Sequence, residues 1–222
     1  MNHPISEDIN VLARETAGQM LARLSLVTLK PARILDADGG AGEMLKKQYP
    51  DAEIVTSTNN LPDNSIDLLF ANLVLPWCSN VEIILREWQR ILRPEGLLML
   101  TSFGPDTLRE VQERDVLLPY WIDMHDLGDK LAEVGFADPV LDVEHFTLTY
   151  REHKQLLYEL QITKMIAQDQ MTLTVEKNTE GVFPLTYEVI YGHAWGAETR
   201  TGYHPDETGT VKIPLADLRR RL

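Results

Sequence analysis

Between Pro31 and Tyr49 the chain reads PARILDADGGAGEMLKKQY: a short apolar strand, a glycine-rich turn and the opening of a helix. Ile34 and Leu35 supply the strand and Asp36 closes it. Gly39, Gly40 and Gly42 then let the backbone pass close to a ligand where a Cβ would collide. A helix opening near Ala41 points its first amides at the same place. This is a nucleotide-cradling unit, and it commits the chain to an α/β architecture. The spacing is not the G-x-G-x-x-G of a dinucleotide turn, which disfavours a nicotinamide-dependent oxidoreductase. Taken alone, the turn also suits a tight strand-to-helix connection in some other α/β protein.

The 222 residues are enough for one domain with a substantial core, expected over 1–197 with a tail over 198–222. No apolar run approaches the ~20 residues of a membrane helix, and MNHPISEDIN lacks the basic and apolar regions of a signal peptide, so a cytoplasmic location is expected. The lone Cys78 has no partner for a disulfide or a structural metal site and reads as a half-buried small hydrophobe. A formal charge of −13 disfavours nucleic acid as a partner outside a local basic patch.

Apolar spacing predicts a first helix over 5–24, with Ser6 as its cap, and strands over Ala52–Ser57, Ile66–Ala71 and Leu97–Ser102. A helix over Val81–Leu92 carries Ile84, Leu85, Trp88, Ile91 and Leu92 on one face, with Arg86, Arg90 and Arg93 on its other side. GPDTL reads as a loop entering a helix that continues through Arg114. A further helix over Asp123–Val134 is capped by Asp123 and stopped by Gly135. Val140–Thr149 and Thr186–Trp195 alternate as a closing antiparallel pair, with a helix over Arg151–Ile166 and a polar, unpatterned stretch over Gln168–Gly181 between them. One short strand near Val211 is expected in the tail.

Four stretches carry a resemblance: DNSIDLLFANLVLPWC, EWQRILRPEGLLMLTSFGPDTLRE, DMHDLGDKLAEVGFADPVLDVEHFTLTY and PLTYEVIYGHAWG, with LVTLKPARILD before them. Together they cover well over half the chain. With the D-x-x-x-G-x-G turn they resemble the malonyl-acyl-carrier-protein O-methyltransferases of biotin biosynthesis, within the S-adenosylmethionine-dependent methyltransferases. The resemblance implies a Rossmann-like three-layer sandwich, mostly parallel, with an antiparallel final strand. It implies S-adenosylmethionine as cofactor and the free carboxylate of a malonyl thioester on an acyl carrier protein as methyl acceptor. Asp36, Asp38, Gly40, Gly42, Asn72 and Leu73 are then the cofactor-binding candidates, and Trp77, Phe103, Tyr191 and His193 the substrate-lining ones. A carboxylate is already ionised near neutral pH, so no general base is required, no catalytic residue is assigned, and no metal is expected.

The chain also departs from the family's pattern. The acid after the second strand, and the helix and strand that follow it, are missing between AEIVTS and LPDNSIDLL. The remaining link, Thr58–Ser65, still reaches across a sheet: eight extended residues span roughly 26 Å against ~17–20 Å for a typical strand. Asp38 stands at the first glycine position of the turn, where a side chain restricts the backbone and its charge adjoins the cofactor's amino-acid end. Ser6 stands where relatives have a tyrosine. Two readings follow: a shortened carboxyl methyltransferase, or a catalytically weakened relative that docks an acyl carrier protein or another methyltransferase. Arg86, Arg90, Arg93, Arg109 and Arg114 are candidate contacts for an acidic carrier, or simply solvated faces.

Overall fold

In a computed structural model, residues 11–111, 117, 121–169 and 173–197 are described. Ser6, Arg114 and Val211, with the features expected around them, lie outside these residues. Ile66–Ala71 (β3) is the run IDLLFA, and all six residues are buried. A strand sealed on both faces belongs in the middle of a sheet covered on both sides, and this is where β3 lies.

Its neighbours are Arg33–Asp36 (β1) and Leu92–Phe103 (β4), both parallel to it, and Glu53–Val55 (β2) lies beyond β1. Phe183–Gly196 (β6) runs antiparallel between β4 and Phe136–Tyr150 (β5), giving the order β2-β1-β3-β4-β6-β5. The expected antiparallel closing pair is present, and each of its strands is longer than the alternation alone predicts.

Helices cover both faces. Val11–Leu24 (α1), Gly42–Gln48 (α2) and His153–Ile162 (α5) pack Leu12, Met20, Leu24, Leu45, Leu156 and Leu160 against one side. Val81–Ile91 (α3) and Met124–Val134 (α4) pack Leu85, Trp88, Ile91, Leu127 and Leu131 against the other. α4 keeps both expected ends. The Asp123 carboxylate accepts the His125 N–H at 2.7 Å, and Gly135 takes the left-handed conformation at φ 108°.

The helix and strand missing after β2 are missing here too: no helix or strand lies between Val55 and Ile66. The link is tied to the end of α3 instead. Asn64 and Ser65 donate to the Arg90 and Ile91 carbonyls at 3.0 and 2.8 Å, and Leu61 is buried. Arg90 reaches back to the Leu61 carbonyl at 2.9 Å and pairs with Asp63 and Glu87.

Four expectations need correction. Arg93 is not on the helix face of Arg86 and Arg90; it lies in β4 and pairs with the buried Asp67, whose other oxygen accepts the amides of Ala32 and Arg33. The residues after β4 form turns over 105–110 rather than a helix, because β6 captures them: Gly104 and Leu108 donate to the Glu188 and Thr186 carbonyls at 2.9 and 2.7 Å. The helix predicted over Arg151–Ile166 is shorter at both ends. The polar stretch after it delivers Leu173 and Val175 to the core, helped by a 2.6 Å contact between His153 Nε2 and the Leu173 carbonyl.

Gly135→Ala puts a Cβ into left-handed backbone, at a cost of about 1–2 kcal/mol. Urea denaturation should show a loss of that size, with an unchanged slope.

Candidate functional site

The C-terminal ends of β1, β3 and β4 come together, and the polar residues of the site are the ones that cap these buried strands. Asp36 ends β1 with no exposed surface; its Oδ2 accepts the Ala41 N–H at 3.0 Å, while its Oδ1 has no hydrogen-bond partner. The amide expected to face a ligand at the start of α2 is therefore already engaged, and α2 is only seven residues long.

Asp38 lies within hydrogen-bonding reach of Asp36, and its own Oδ1 accepts the Asn72 N–H at 3.4 Å. The backbone strain expected at Asp38 is not found, since the left-handed residue of the turn is Gly39 at φ 75°. The cost of Asp38 is electrostatic. Burial, and then the neighbouring Asp38 charge, push Asp36 up to about 7, whereas Asp38 itself stands exposed on the turn. Gly40 makes room for this arrangement: a Cβ there would stand 2.7 Å from Asp38 Oδ2. A Cβ at Gly42 would lie 3.7 Å from Asp36 Oδ2.

Asn72, immediately after β3, is 4% exposed and locks α1 to the sheet. Its side-chain oxygen accepts the hydroxyls of Thr16 and Thr101, each at 2.8 Å, and its amide donates to the Ala13 carbonyl at 2.8 Å. Thr101 also accepts the Leu73 N–H at 2.8 Å, which holds Leu73 at φ 52°. Asp36, Asp38, Asn72 and Leu73 are thus brought together as expected. Thr16 and Thr101 belong with them, although each reads in the sequence as an ordinary hydroxyl in an apolar segment.

The substrate-lining candidates are spread more widely. Trp77, in the short 3-10 turn Leu75–Trp77, packs on the α1 side of the sheet. Phe103 is 1% exposed, with its ring centre 6.0 Å from that of Tyr187. Tyr191 faces Thr101 across the β4–β6 ladder, under the Arg23 guanidinium at 3.9 Å from its ring centre. His193 is half-buried two pairs deeper, opposite Met99, and among the described residues its ring has no hydrogen-bond partner. His125 sits exposed beside Asp123. The Cys78 thiol donates to the Val74 carbonyl, and burial pushes it up to about 11, far from thiolate chemistry. A depression of about 560 Å³ lies between Thr58–Asn60 and α3; Arg86 and Arg90 line it, but none of the cofactor-binding or substrate-lining candidates does.

The structural neighbours YcgJ from Bacillus subtilis and BH2331 from Bacillus halodurans C-125 share the fold. Both have a TM-score of 0.53, at 13% and 16% identity, covering 83% and 81% of this chain and 99% of each of theirs. Residues 16–100 match a family model described as a methyltransferase domain. The malonyl-[acyl-carrier protein] O-methyltransferase of Halorhodospira halophila is 32% identical over 269 residues, covering 97% of this chain and 91% of its own. That of Gallionella capsiferriformans is 34% identical over 244 residues, covering 83% and 84%. Both aligned spans exceed the 222 residues of this chain, so each contains residues that this chain lacks.

Two outcomes follow from the geometry. Asp36, raised from 3.8 to about 7, holds a proton in the folded state that the unfolded chain releases, so stability falls as pH rises from about 4 to about 7 and then levels off. Asp38→Asn removes the like-charge part and leaves the burial part, so thermal melts should show a shallower fall. Thr101→Val leaves the Leu73 N–H without its acceptor and takes one donor from Asn72, and denaturation should show a loss of about 2 kcal/mol.

Proposed function

Because this chain belongs to the malonyl-[acyl-carrier protein] O-methyltransferase family, we propose that it moves a methyl group from S-adenosylmethionine to the free carboxylate of a malonyl thioester on an acyl carrier protein, the methylation used in biotin biosynthesis. The observation that carries this reading is the rim of β1 and β3. Asp36 is sealed from water with its Oδ1 unpartnered, and the turn that follows it carries glycines at 40 and 42, where a Cβ would stand beside Asp38 Oδ2 and Asp36 Oδ2.

The residues present fit the amino-acid end of the cofactor. Asp36 and Asp38 offer acceptors to an ammonium group, and Gly40 and Gly42 keep Cβ atoms out of the approach. When bound, the cofactor supplies an electrophilic methyl group on a sulfonium. The chain's own task is alignment and exclusion of water, because the acceptor carboxylate is already a nucleophile. Leu73, Trp77 and Tyr191 would bound the acceptor side, with Thr16, Asn72 and Thr101 holding α1 in place over it.

For the carrier protein, Arg86, Arg90 and Arg93 offer little net charge, since each is paired with a carboxylate. Arg109 is the better contact. It lies on the turn leaving β4 and is the most loosely paired of them, its Nε 3.6 Å from Glu110, whose carboxylate also accepts the amide and hydroxyl of Thr186 at 2.9 and 2.5 Å.

A second reading, a family member that binds but does not methylate, is favoured by the stretch after β2. Thr56, Ser57, Thr58, Asn59 and Asn60 include no acid to grip a ribose, and the link continues into β3 with no strand of its own.

Incubation with S-adenosylmethionine and malonyl-acyl carrier protein distinguishes the two. A one-methyl mass increase on the carrier supports the enzyme; an unmodified carrier alongside measurable carrier binding supports the binding protein. Gly40→Ala, which must displace the Asp38 carboxylate, should weaken S-adenosylhomocysteine binding by about tenfold, or ~1.4 kcal/mol, in calorimetry.

A further inference from the structure

We propose that Asp106, His145 and Glu188 together bind one divalent transition-metal ion, and that zinc is the ion their chemistry suits. The inference does not rest on the methylation reading. No sequence motif marks these residues, which stand 39 and 43 positions apart.

Strand alternation brings two of the three together. On β6, Ile190 is buried in the core under α3 and α4, and Glu188, two residues before it, lies on the same face. On β5, Val143 packs against that core and His145 follows it by two. His145 and Glu188 are direct partners in the β5–β6 ladder, so their side chains leave the sheet side by side. His145 is exposed and Glu188 half-buried, which places them where the apolar cover of this face gives out.

The third residue arrives on the turn after β4. The Gly104 N–H and the Thr107 hydroxyl both donate to the Glu188 carbonyl, at 2.9 and 3.1 Å, and the Thr107 hydroxyl accepts the Glu188 N–H at 3.1 Å. Between them the Asp106 N–H donates to Glu188 Oε2 at 2.6 Å. This closeness requires a glycine at 104, because a Cβ there would stand 2.4 Å from Glu188 Cδ. The turn thus fixes the Glu188 backbone and one carboxylate oxygen, and leaves the second oxygen for a cation.

His145 Nε2 lies 3.8 Å from Asp106 Oδ2, and one ligand atom from each of the three residues falls within 4.8 Å of the others. Zinc bonded at ~2.0–2.2 Å to nitrogen and oxygen spaces its ligands by roughly 3.4 Å, so the gaps to be closed are about an ångström. Rotation of the exposed Asp106 and His145 side chains closes them.

The donor set selects the ion. Two carboxylates match a divalent charge, and among the described residues neither has a lysine or arginine partner. The imidazole nitrogen favours zinc over magnesium and calcium, which take oxygen ligands. Three protein ligands leave a further position for water. The hydrogen bonds of the turn reach β6 alone; bound zinc ties the same turn, with Arg109 on it, to β5 as well.

The test is calorimetric titration of the full chain, freed of metal by chelation, with zinc chloride at about pH 7. Expected are one zinc per chain with a dissociation constant of about 1–10 μM, no measurable binding of magnesium chloride, and a melting temperature that rises with zinc. His145→Ala and Glu188→Gln should each weaken zinc binding by about tenfold or more. The glutamine keeps an oxygen for the Asp106 amide, so the turn is retained in that variant. His125→Ala removes another exposed histidine beside an aspartate, 3.0 Å from Asp123, and should leave the affinity unchanged.

Zinc binding undiminished in both site variants, or abolished by His125→Ala, is adventitious binding elsewhere on the surface and overturns the site. Weakening by His145→Ala with none by Glu188→Gln also overturns it, because a lone imidazole then accounts for the binding. Absence of zinc binding by the natural chain up to about 1 mM overturns it outright.

Discussion

The structure depends on the complete burial of β3. Six consecutive residues from Ile66 to Ala71 meet no water on either face, and each large side chain among them stabilises the fold by roughly 1.5–3 kcal/mol relative to exposure. Such a strand must have a parallel neighbour on each side and a helix layer on each face. Its polar backbone ends and any charge near them must also be satisfied locally. Asp67 does this at one end by taking the first amides of β1 and the Arg93 guanidinium. Asn72 does it at the other by joining α1 to β4 through Thr16 and Thr101. The polar rim at the ends of β1 and β3 is the outlet of a dry core, and the raised Asp36 carboxyl follows from that.

Much of this was legible in the residues. IDLLFA is uninterrupted enough to announce a buried strand. Asp123 and Gly135 bracket a helix by chemistry that needs no tertiary help. The short path from AEIVTS to SIDLL shows that a helix–strand unit is missing. The Asp36–Gly42 turn is where the spacing put it, between β1 and α2.

What stayed hidden was decided by distant partners. A helix after GPDTL is locally reasonable, but the ladder groups of β6 take those amides first, so tertiary hydrogen bonds override propensity. Thr16 and Thr101 lie 85 positions apart in sequence and meet only through Asn72, and no local pattern marks either as polar by necessity. Arg93 followed the helical period of Arg86 and Arg90, yet the chain had already turned into β4. Leu173 and Val175 looked incidental in a polar stretch until a histidine held that stretch against α5.

The shortened link after β2 also affects assembly. With no further strand beyond it, one border of the sheet is β2, a three-residue rung whose Glu53 pairs with Arg33 of β1. So brief and charged a border offers few free amides and carbonyls in a row, and that is how proteins discourage stray chains from zipping on. At the opposite border β5 is fifteen residues long, but Asp138, at φ 48°, and Pro139 interrupt its register near one end. The chain has thus exchanged a longer sheet for two margins that resist polymerising with their own kind.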